Sequence, residues 1–212
     1  MEITWLGHSC FRVKGKELTL ITDPYQEEIG YSWATPTANI VTVSHSHPGH
    51  SNSAGVSGDP RVIDRPGEYE VGGVFVIGLG NFHDSEQGAT RGKNISYLFE
   101  IDDIKLCHLG DIGHGPSARQ VEEFSGVDIL IIPVGGISTI DGKAAADIAK
   151  LLNPKIVVPM HYRTEAVTWL EPLDRFTTQL GLKDIIPQPK LSISKASIPL
   201  ETKTVILDRC SS

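Results

Sequence analysis

Cysteine is scarce in this chain of 212 residues, which contains only Cys10, Cys107 and Cys210. Their number is odd, and no two of them form a Cys-x-x-Cys pair. The sequence therefore excludes a disulfide framework and a cysteine-based zinc knuckle. We expect these thiols to be buried or idle in a reducing compartment.

Basic side chains are outnumbered by acidic side chains. The chain has 19 lysines and arginines against 26 aspartates and glutamates, which gives a formal net charge of −7. A nucleic-acid backbone or an anionic membrane surface rewards a basic face, so we expect neither of them as the main partner. A small-molecule substrate is compatible with this charge, including an anionic one where a local basic patch receives it. The composition leaves a homo-oligomer open.

Long apolar runs and several enzyme signatures are absent as well. No apolar stretch approaches the ~20 residues that cross a bilayer. Residues 1–5 resemble a strand and lack the basic end and apolar run of a signal peptide. No GxGxxG, GxxxxGK[ST] or GxSxG motif occurs, so Gly135-Gly136 predicts a turn. These absences predict a cytoplasmic protein and argue against nucleotide-loop and serine-hydrolase chemistry.

The order of apolar patterns predicts the fold class. The first half has short β-favouring runs, such as 3–6 and 18–21, and a continuous apolar strand at 40–43. The second half alternates buried strands with three helical patterns, at 116–124, 144–152 and 165–179. We expect an α/β protein with two mixed sheets and helices packed outside them, formed as one domain by residues 1–212.

Histidine, by contrast, is concentrated after the apolar segment 40–43, where His45, His47 and His50 lie close together. Neutral imidazole is the commonest protein ligand for zinc and related metals. Residues i and i+2 of an extended segment point the same way, so His45 and His47 can share one ion. His50 follows a Pro-Gly turn and can reach a neighbouring point.

Three further candidate ligands, His83, Asp111 and His161, each come just after a predicted strand. Side chains on loops at strand ends can converge on one rim of a rigid scaffold. The ordered set of a His-x-His-x-x-His run, a His, an Asp and a last His therefore predicts a divalent metal site. Zinc is the first candidate, and Mn, Ni and Fe also suit histidine and aspartate ligands.

This ordered set resembles the pattern of the metallo-β-lactamase superfamily. The sequence that flanks these residues is similar to one branch of that superfamily, which contains ascorbate-6-phosphate lactonase-like proteins and uncharacterised metal-dependent hydrolases. The matching stretches are residues 5–11, 22–24, 91–94, 108–111 and 159–162. The resemblance covers essentially the whole chain. It implies an αβ/βα four-layer sandwich, in which two mixed sheets carry outer helices.

The resemblance also implies a role for each matching residue, with one or two divalent ions per chain. A first ion would be held by His45, His47 and His83. A second would be held by His50 and His161, and Asp111 would bridge the two. Metal binding lowers the pKa of water toward ~7, so a metal-bound hydroxide would attack a small ester, lactone or phosphodiester. Asp111 and His50 would thus serve catalysis as well as metal binding.

One position departs from the superfamily pattern. Gly49 stands where relatives carry an aspartate that ligates the second ion and orients the attacking water. Three outcomes stay open: a weak second metal, a single-metal enzyme, or a metal-binding but catalytically feeble protein that acts through partners. Three nearby carboxylates are candidates to compensate, namely Glu68, Glu70 and Asp84.

Several other polar residues are candidates for supporting roles. His8 is a candidate for a direct or supporting role near the metals, with a structural histidine as the alternative. Asp23 would accept the second N–H of a ligating histidine, or form a turn. His114 is a candidate proton donor or an ordinary loop histidine. Arg91 and Asn94 are candidates to bind an anionic substrate group, with a surface salt bridge as the alternative.

Overall fold

Two β-sheets packed against each other form the centre of the computed structural model, which describes residues 1–210. In spatial order, the first sheet contains β12 (Leu191–Ser192), β1 (Glu2–Gly7), β2 (Cys10–Lys14), β3 (Thr19–Thr22), β4 (Ile40–Thr42) and β5 (Arg61–Ile63). The second contains β13 (Lys203–Thr204), β11 (Ile156–Met160), β10 (Ile129–Pro133), β9 (Ile104–His108), β8 (Lys93–Ile101), β7 (Val74–Phe82) and β6 (Gly67–Val71).

Both sheets are mixed, as the sequence predicts. In the first sheet, β1, β2 and β3 are antiparallel neighbours, whereas β3, β4 and β5 are parallel neighbours. In the second, β6 to β9 are antiparallel, and β9, β10, β11 and β13 are parallel. The predicted α/β class with two mixed sheets is confirmed.

Alternate side chains of the central strands pack on opposite faces of the first sheet. Leu20 on β3 and Ile40 on β4 belong to the main core, which continues into the second sheet. Their neighbours Ile21 and Val41 belong to a second apolar cluster on the outer face. All four side chains are fully buried. A strand covered on both faces carries a continuous apolar run, which explains the pattern at 40–43.

Helices lie on the outer side of the second sheet, namely α1 (Ala118–Phe124), α2 (Gly142–Leu152) and α3 (Asp174–Gln179). Helix α2 packs against β10 and against both other helices. It begins after Asp141, whose carboxylate accepts a hydrogen bond from Ala144 N, and ends at Asn153 in a left-handed conformation. Within residues 1–210, no helix has the length and apolar character that crossing a bilayer requires.

The helix predicted for residues 165–179 is much shorter in the structure, where only Asp174–Gln179 form a helix. The residue before Pro172 is disfavoured in the helical conformation, so the helix begins beyond the proline. Val167 and Leu170 are instead buried in the outer cluster of the first sheet. Loops and short 3-10 turns therefore cover that face in the described part of the chain.

The loops that follow five strands meet at one edge of the sandwich. They follow β1, β4, β7, β9 and β11. The candidate ligands that these loops bring together are His8, His45, His83, Asp111 and His161. The two-sheet scaffold therefore positions the site.

Tyr97 on β8 links the two sheets, and its removal should destabilise the fold. Its buried hydroxyl donates towards the carbonyls of Val43 and Ile63, at 2.8 and 2.9 Å. Tyr97→Phe removes this donor, and Ile63 O keeps only its bond from Val43 N, so we expect the free energy of unfolding to fall by about 1–3 kcal/mol. Urea denaturation measures this loss. Tyr69→Phe is the control, because its hydroxyl bonds Arg65 O at the surface; equal midpoints for both variants would contradict the inference.

Candidate metal centre

The first group of histidines lies just beyond the end of β4. Residues 44–47 form a bend rather than the extended segment that the sequence predicts. The rings of His45 and His47 nevertheless come together, with centroids 4.5 Å apart, and the ring of His83 lies 4.5 Å from that of His45. One ring nitrogen from each of the three lies within 4.8 Å of the others. These are the three residues that the resemblance implies for a first ion.

Asp111 lies at the centre of the site with its side chain buried. Its Oδ1 accepts a hydrogen bond from Ser9 Oγ at 3.5 Å. Its Oδ2 faces four imidazole Nε2 atoms, at 3.0 Å for His161, 3.3 Å for His50, 3.5 Å for His83 and 4.0 Å for His45. This oxygen therefore lies near two members of the first group, His45 and His83, and also near His50 and His161. Such a position suits a ligand that bridges two ions.

A chain of hydrogen bonds beneath the site orients two of these rings. The carboxylate of Asp23 accepts bonds from Ser44 N at 2.7 Å, Ser44 Oγ at 2.5 Å and His50 Nδ1 at 2.9 Å. Because the only hydroxyl hydrogen of Ser44 points to Asp23, Ser44 Oγ accepts from His45 Nδ1, 2.9 Å away. When both rings are neutral, their Nε2 atoms carry the lone pairs that face Asp111, the arrangement typical of ligating histidines.

Asn94 holds the backbone of Asp111 in place from below. Its Oδ1 accepts a hydrogen bond from Asp111 N at 2.9 Å, and its Nδ2 donates to Asn81 Oδ1 and Leu109 O. The side chain is fully buried. Asn94 is therefore out of reach of a substrate, and of its two predicted roles the structure places it in the supporting one. Its supporting role depends on contacts with Asn81 and Asp111, which are distant in sequence and could not be predicted from it.

Three residues of the site have a left-handed backbone, with φ of +51° at His8, +40° at Asp23 and +53° at His161. Such angles are uncommon outside glycine and cost about 1–3 kcal/mol each. They persist only where the surrounding structure holds them. The backbone therefore stores strain where it turns side chains into the site.

Burial and nearby charge set the protonation of the site. Burial opposes ionisation of Asp111, but the charges of His161 and His50 outweigh it and keep the pKa of Asp111 well below its usual value. Burial also lowers the pKa of His50, but Asp111 and then Asp23 outweigh it and raise that pKa to about 10. Burial, followed by the nearby His50, lowers the pKa of His45. Metals bind an ionised carboxylate and neutral imidazoles, so a metal ion at His50 would displace the proton that the raised pKa keeps on this ring.

The donor set fits divalent metal. Within the described residues, four buried ring nitrogens have no hydrogen-bond partner: His8 Nδ1, His45 Nε2, His83 Nδ1 and His161 Nδ1. Buried polar atoms are normally bonded, and His45 Nε2 is both unpartnered and directed toward Asp111, where an ion would satisfy it. Imidazole nitrogen and carboxylate oxygen are common ligands of zinc and of related first-row ions. The residues present could thus hold two ions that share Asp111.

Three candidate residues lie away from the metal ligands, namely His114, Glu68 and Glu70. Both ring nitrogens of His114 bond backbone atoms, because Nε2 accepts from Phe82 N at 3.2 Å and Nδ1 donates to Gly115 O at 2.7 Å. His114 lines a separate groove together with Glu68, which like Glu70 is exposed. The structure therefore does not bring His114 to the metal ligands as a proton donor.

Asp84 is close in sequence to the ligand His83 but has a different task. Its carboxylate accepts four backbone N–H groups, from residues 86, 88, 90 and 91, at 2.7–3.0 Å. These bonds, with that from Arg91 N the largest contribution, lower the pKa of Asp84 to about 2. Asp84 thus shapes the loop that carries Arg91, and its oxygens are already engaged by that loop.

An open cleft of about 380 Å³ lies in front of Asp111. Besides the histidines, its walls include Glu28, Ile29, Pro48, Arg91, Ser138 and Trp169. Arg91 Nη2 donates to Ile137 O at 2.9 Å, which fixes the guanidinium at the rim. Sequence reasoning missed Glu28, Ser138 and Trp169, because they come from three distant segments with no motif.

Known proteins share this fold. The model of the β-lactamase superfamily domain matches residues 2–161. A crystal structure from Thermotoga maritima, described as an inferred Zn-dependent hydrolase of the metallo-β-lactamase superfamily, is 40% identical, with a TM-score of 0.81 over 97% of each chain. This chain therefore belongs to the metallo-β-lactamase superfamily.

Two further relatives differ in how much they resemble this chain. A UPF0173 metal-dependent hydrolase of Carboxydothermus hydrogenoformans is 30% identical over 199 residues, which cover 77% of this chain and 85% of the relative. An isothiocyanate hydrolase from Delia radicum gut bacteria is 14% identical, with a TM-score of 0.68 over 92% of this chain and 99% of that one. The second likeness concerns the fold alone.

Removal of the Asp23 charge should weaken metal binding without touching a ligand. Asp23→Asn retains the size of the side chain but loses an oxygen acceptor for His50 and Ser44. We expect metal affinity to fall about 10–100-fold, as it does when the carboxylate behind a ligating histidine is lost. Titration of the metal-free protein against a chromophoric chelator measures this affinity. Asp128→Asn is the control, because that buried aspartate pairs with Lys195 instead; an equal loss there would refute the role of Asp23.

Proposed function

We propose that this protein is a metal-dependent hydrolase that cleaves a small ester, lactone or phosphodiester bearing negative charge. The observation that carries the proposal is the Oδ2 atom of Asp111, which faces four histidine Nε2 atoms at the floor of an open cleft. The description of the Carboxydothermus relative as a metal-dependent hydrolase supports the same class of activity.

The chain's own residues would divide the task between binding and orientation. Bound divalent ions would act as Lewis acids and lower the pKa of water to make it a nucleophile at neutral pH. Asp111 and the histidines would hold the ions at the cleft floor. Asp23 and Ser44 would keep the rings of His50 and His45 oriented, so that little reorganisation accompanies the reaction.

The cleft walls favour a substrate with one anionic end. Arg91 places a guanidinium at the rim, and guanidinium groups bind carboxylates and phosphates bidentately. Glu28 lines the cleft as well, so an anionic group is expected on the Arg91 side. Trp169 is 52% exposed and offers a flat apolar surface to the rest of the substrate. A volume of about 380 Å³ suits a small molecule.

Metal removal and Asp111→Asn both test the hydrolase proposal. A panel of small esters, lactones and phosphodiesters would be assayed with native, chelator-treated and zinc-restored protein. We expect activity to disappear on chelation, to return with zinc, and to be absent in Asp111→Asn, because the amide cannot supply a bridging anionic oxygen. The control is Asp147→Asn, an exposed position on α2. Undiminished turnover in metal-free protein would refute the proposal.

Arg91 tests the expected charge of the substrate. A hydrogen bond to a charged group is worth about 1.5–3 kcal/mol, so Arg91→Ala should raise KM for an anionic substrate about 10-fold or more. KM for a neutral ester of similar size should change little, and Arg91→Lys should recover part of the loss. Arg65→Ala is the control, because that side chain is 85% exposed outside the cleft. Equal effects on anionic and neutral substrates would contradict the assigned role.

A further inference from the structure

The glycine at position 49 relieves a tight contact rather than a strained backbone conformation. Gly49 is not among the residues with positive φ, so its backbone suits any amino acid. A Cβ atom placed there would lie 3.2 Å from both Cδ2 and Nε2 of His8, and 3.4 Å from Ile29 Cδ1. The imidazole of His8 therefore occupies the place beside the loop into which a side chain at position 49 would extend.

The turn between β1 and β2 holds His8 in this position. Gly7 has a φ of +126° and His8 one of +51°, which turns the chain sharply after β1. The carbonyl of His8 accepts hydrogen bonds from Trp5 Nε1 at 2.9 Å and from His161 N at 3.2 Å. These bonds tie the backbone of His8 to that of a candidate ligand.

The ring of His8 faces the second group of histidines. Its centroid lies 4.1 Å from that of His161 and 5.0 Å from that of His50. One ring nitrogen from each of the three lies within 4.8 Å of the others. His8 is 4% exposed, and its Nδ1 has no hydrogen-bond partner. A buried polar atom without a partner is costly unless a ligand satisfies it.

We infer that His8 is a direct ligand of the second ion and replaces the carboxylate that Gly49 cannot supply. The second site then consists of His8, His50 and His161 together with a share of Asp111. This inference rests on the proposed function for the metal itself. It also predicts metal choice, because a site richer in imidazole and poorer in carboxylate favours zinc or nickel over manganese.

The first test compares metal stoichiometry in His8→Asn and the parent protein. Asparagine tolerates the left-handed backbone at this position, so the turn should survive. Metal-free protein would be titrated with Zn²⁺ against a chromophoric chelator, with elemental analysis of the product. The parent should bind two ions per chain. His8→Asn should keep the first and bind the second about 100-fold or more weakly, beyond the usual loss for a residue that only orients a ligand.

The control for this titration is His114→Asn, which changes a histidine outside the cluster and should leave both ions bound. Near-ultraviolet circular dichroism of each metal-free variant checks that the fold is retained. Two unchanged tight sites in folded His8→Asn would overturn the inference. So would a single site in the parent whose affinity is unaffected by His8→Asn.

The second test uses the contact between position 49 and His8. In the parent, Gly49→Asp brings a carboxylate against the His8 ring, so second-site zinc affinity should fall or stay the same. In a His8→Ala background the same substitution enters the space that the ring has left, and second-site affinity should rise relative to His8→Ala alone. Gly49→Asp should therefore raise second-site zinc affinity only where His8 is absent, which is expected if the two side chains compete for the same ligand position. A similar gain in both backgrounds would overturn the inference.

Competition with manganese gives a ratio of two affinities within each protein, so a loss of folded protein in one variant does not change the result. Competition between Zn²⁺ and Mn²⁺ for the second site should favour zinc more strongly in the parent than in the His8→Ala, Gly49→Asp double variant. Equal preference in the two proteins would contradict the imidazole-rich site. All of these readouts measure bound metal. A protein that binds two ions but hydrolyses nothing would therefore refute the proposed function alone, and an active protein with an unaffected second site in His8→Asn would refute this inference alone.

Discussion

The burial of one carboxylate governs this end of the molecule. A buried, uncompensated charge is strongly unfavourable, and Asp111 stays ionised only because imidazoles surround it. Their nitrogens lie 3.0–4.0 Å from a single oxygen atom, too many to be satisfied by hydrogen bonds from neutral rings alone. A divalent cation would compensate this carboxylate and use the lone pairs of the neutral rings. The supporting hydrogen bonds serve to hold this arrangement.

The fold supplies that support from three directions. Asn94 on β8 holds the backbone of Asp111, and Asp23 after β3 orients His50 and, through Ser44, His45. Each support comes from a different strand of the two packed sheets. Because the strands are rigid and their ends meet at one edge, they can hold the ligands in a fixed arrangement around a metal ion.

The sequence predicts the parts of the site that are local patterns. The His-x-His-x-x-His run, and residues such as Asp111 just after strands, can be recognised because each signal lies within a few positions. The alternation of strands and helices likewise predicts two mixed sheets. The helix at 165–179 is overestimated, because burial of Val167 and Leu170 against the first sheet outweighs helical periodicity. Apolar spacing alone cannot distinguish these two ways of burying the same side chains.

The relation between His8 and Gly49 could not be predicted, because the two residues are 41 positions apart in the chain, and only the structure shows that a Cβ atom at position 49 would lie 3.2 Å from the His8 ring. The sequence shows only that Gly49 lacks the carboxylate of its relatives. The structure shows that the absence of a side chain at this position leaves room for the imidazole of His8.

The exchange of a carboxylate for an imidazole also changes the charge of the cleft. In the described part of the chain, Asp111 and, behind His50, Asp23 are the carboxylates in contact with the ligand cluster. Two bound dications would then remain undercompensated, and the cleft would be more positive than one with a further aspartate. Because Coulomb attraction is strong in a site partly shielded from water, this excess charge draws anions to the same place as Arg91 does. The proposed composition of the second site and the proposed preference for an anionic substrate thus have a common electrostatic origin.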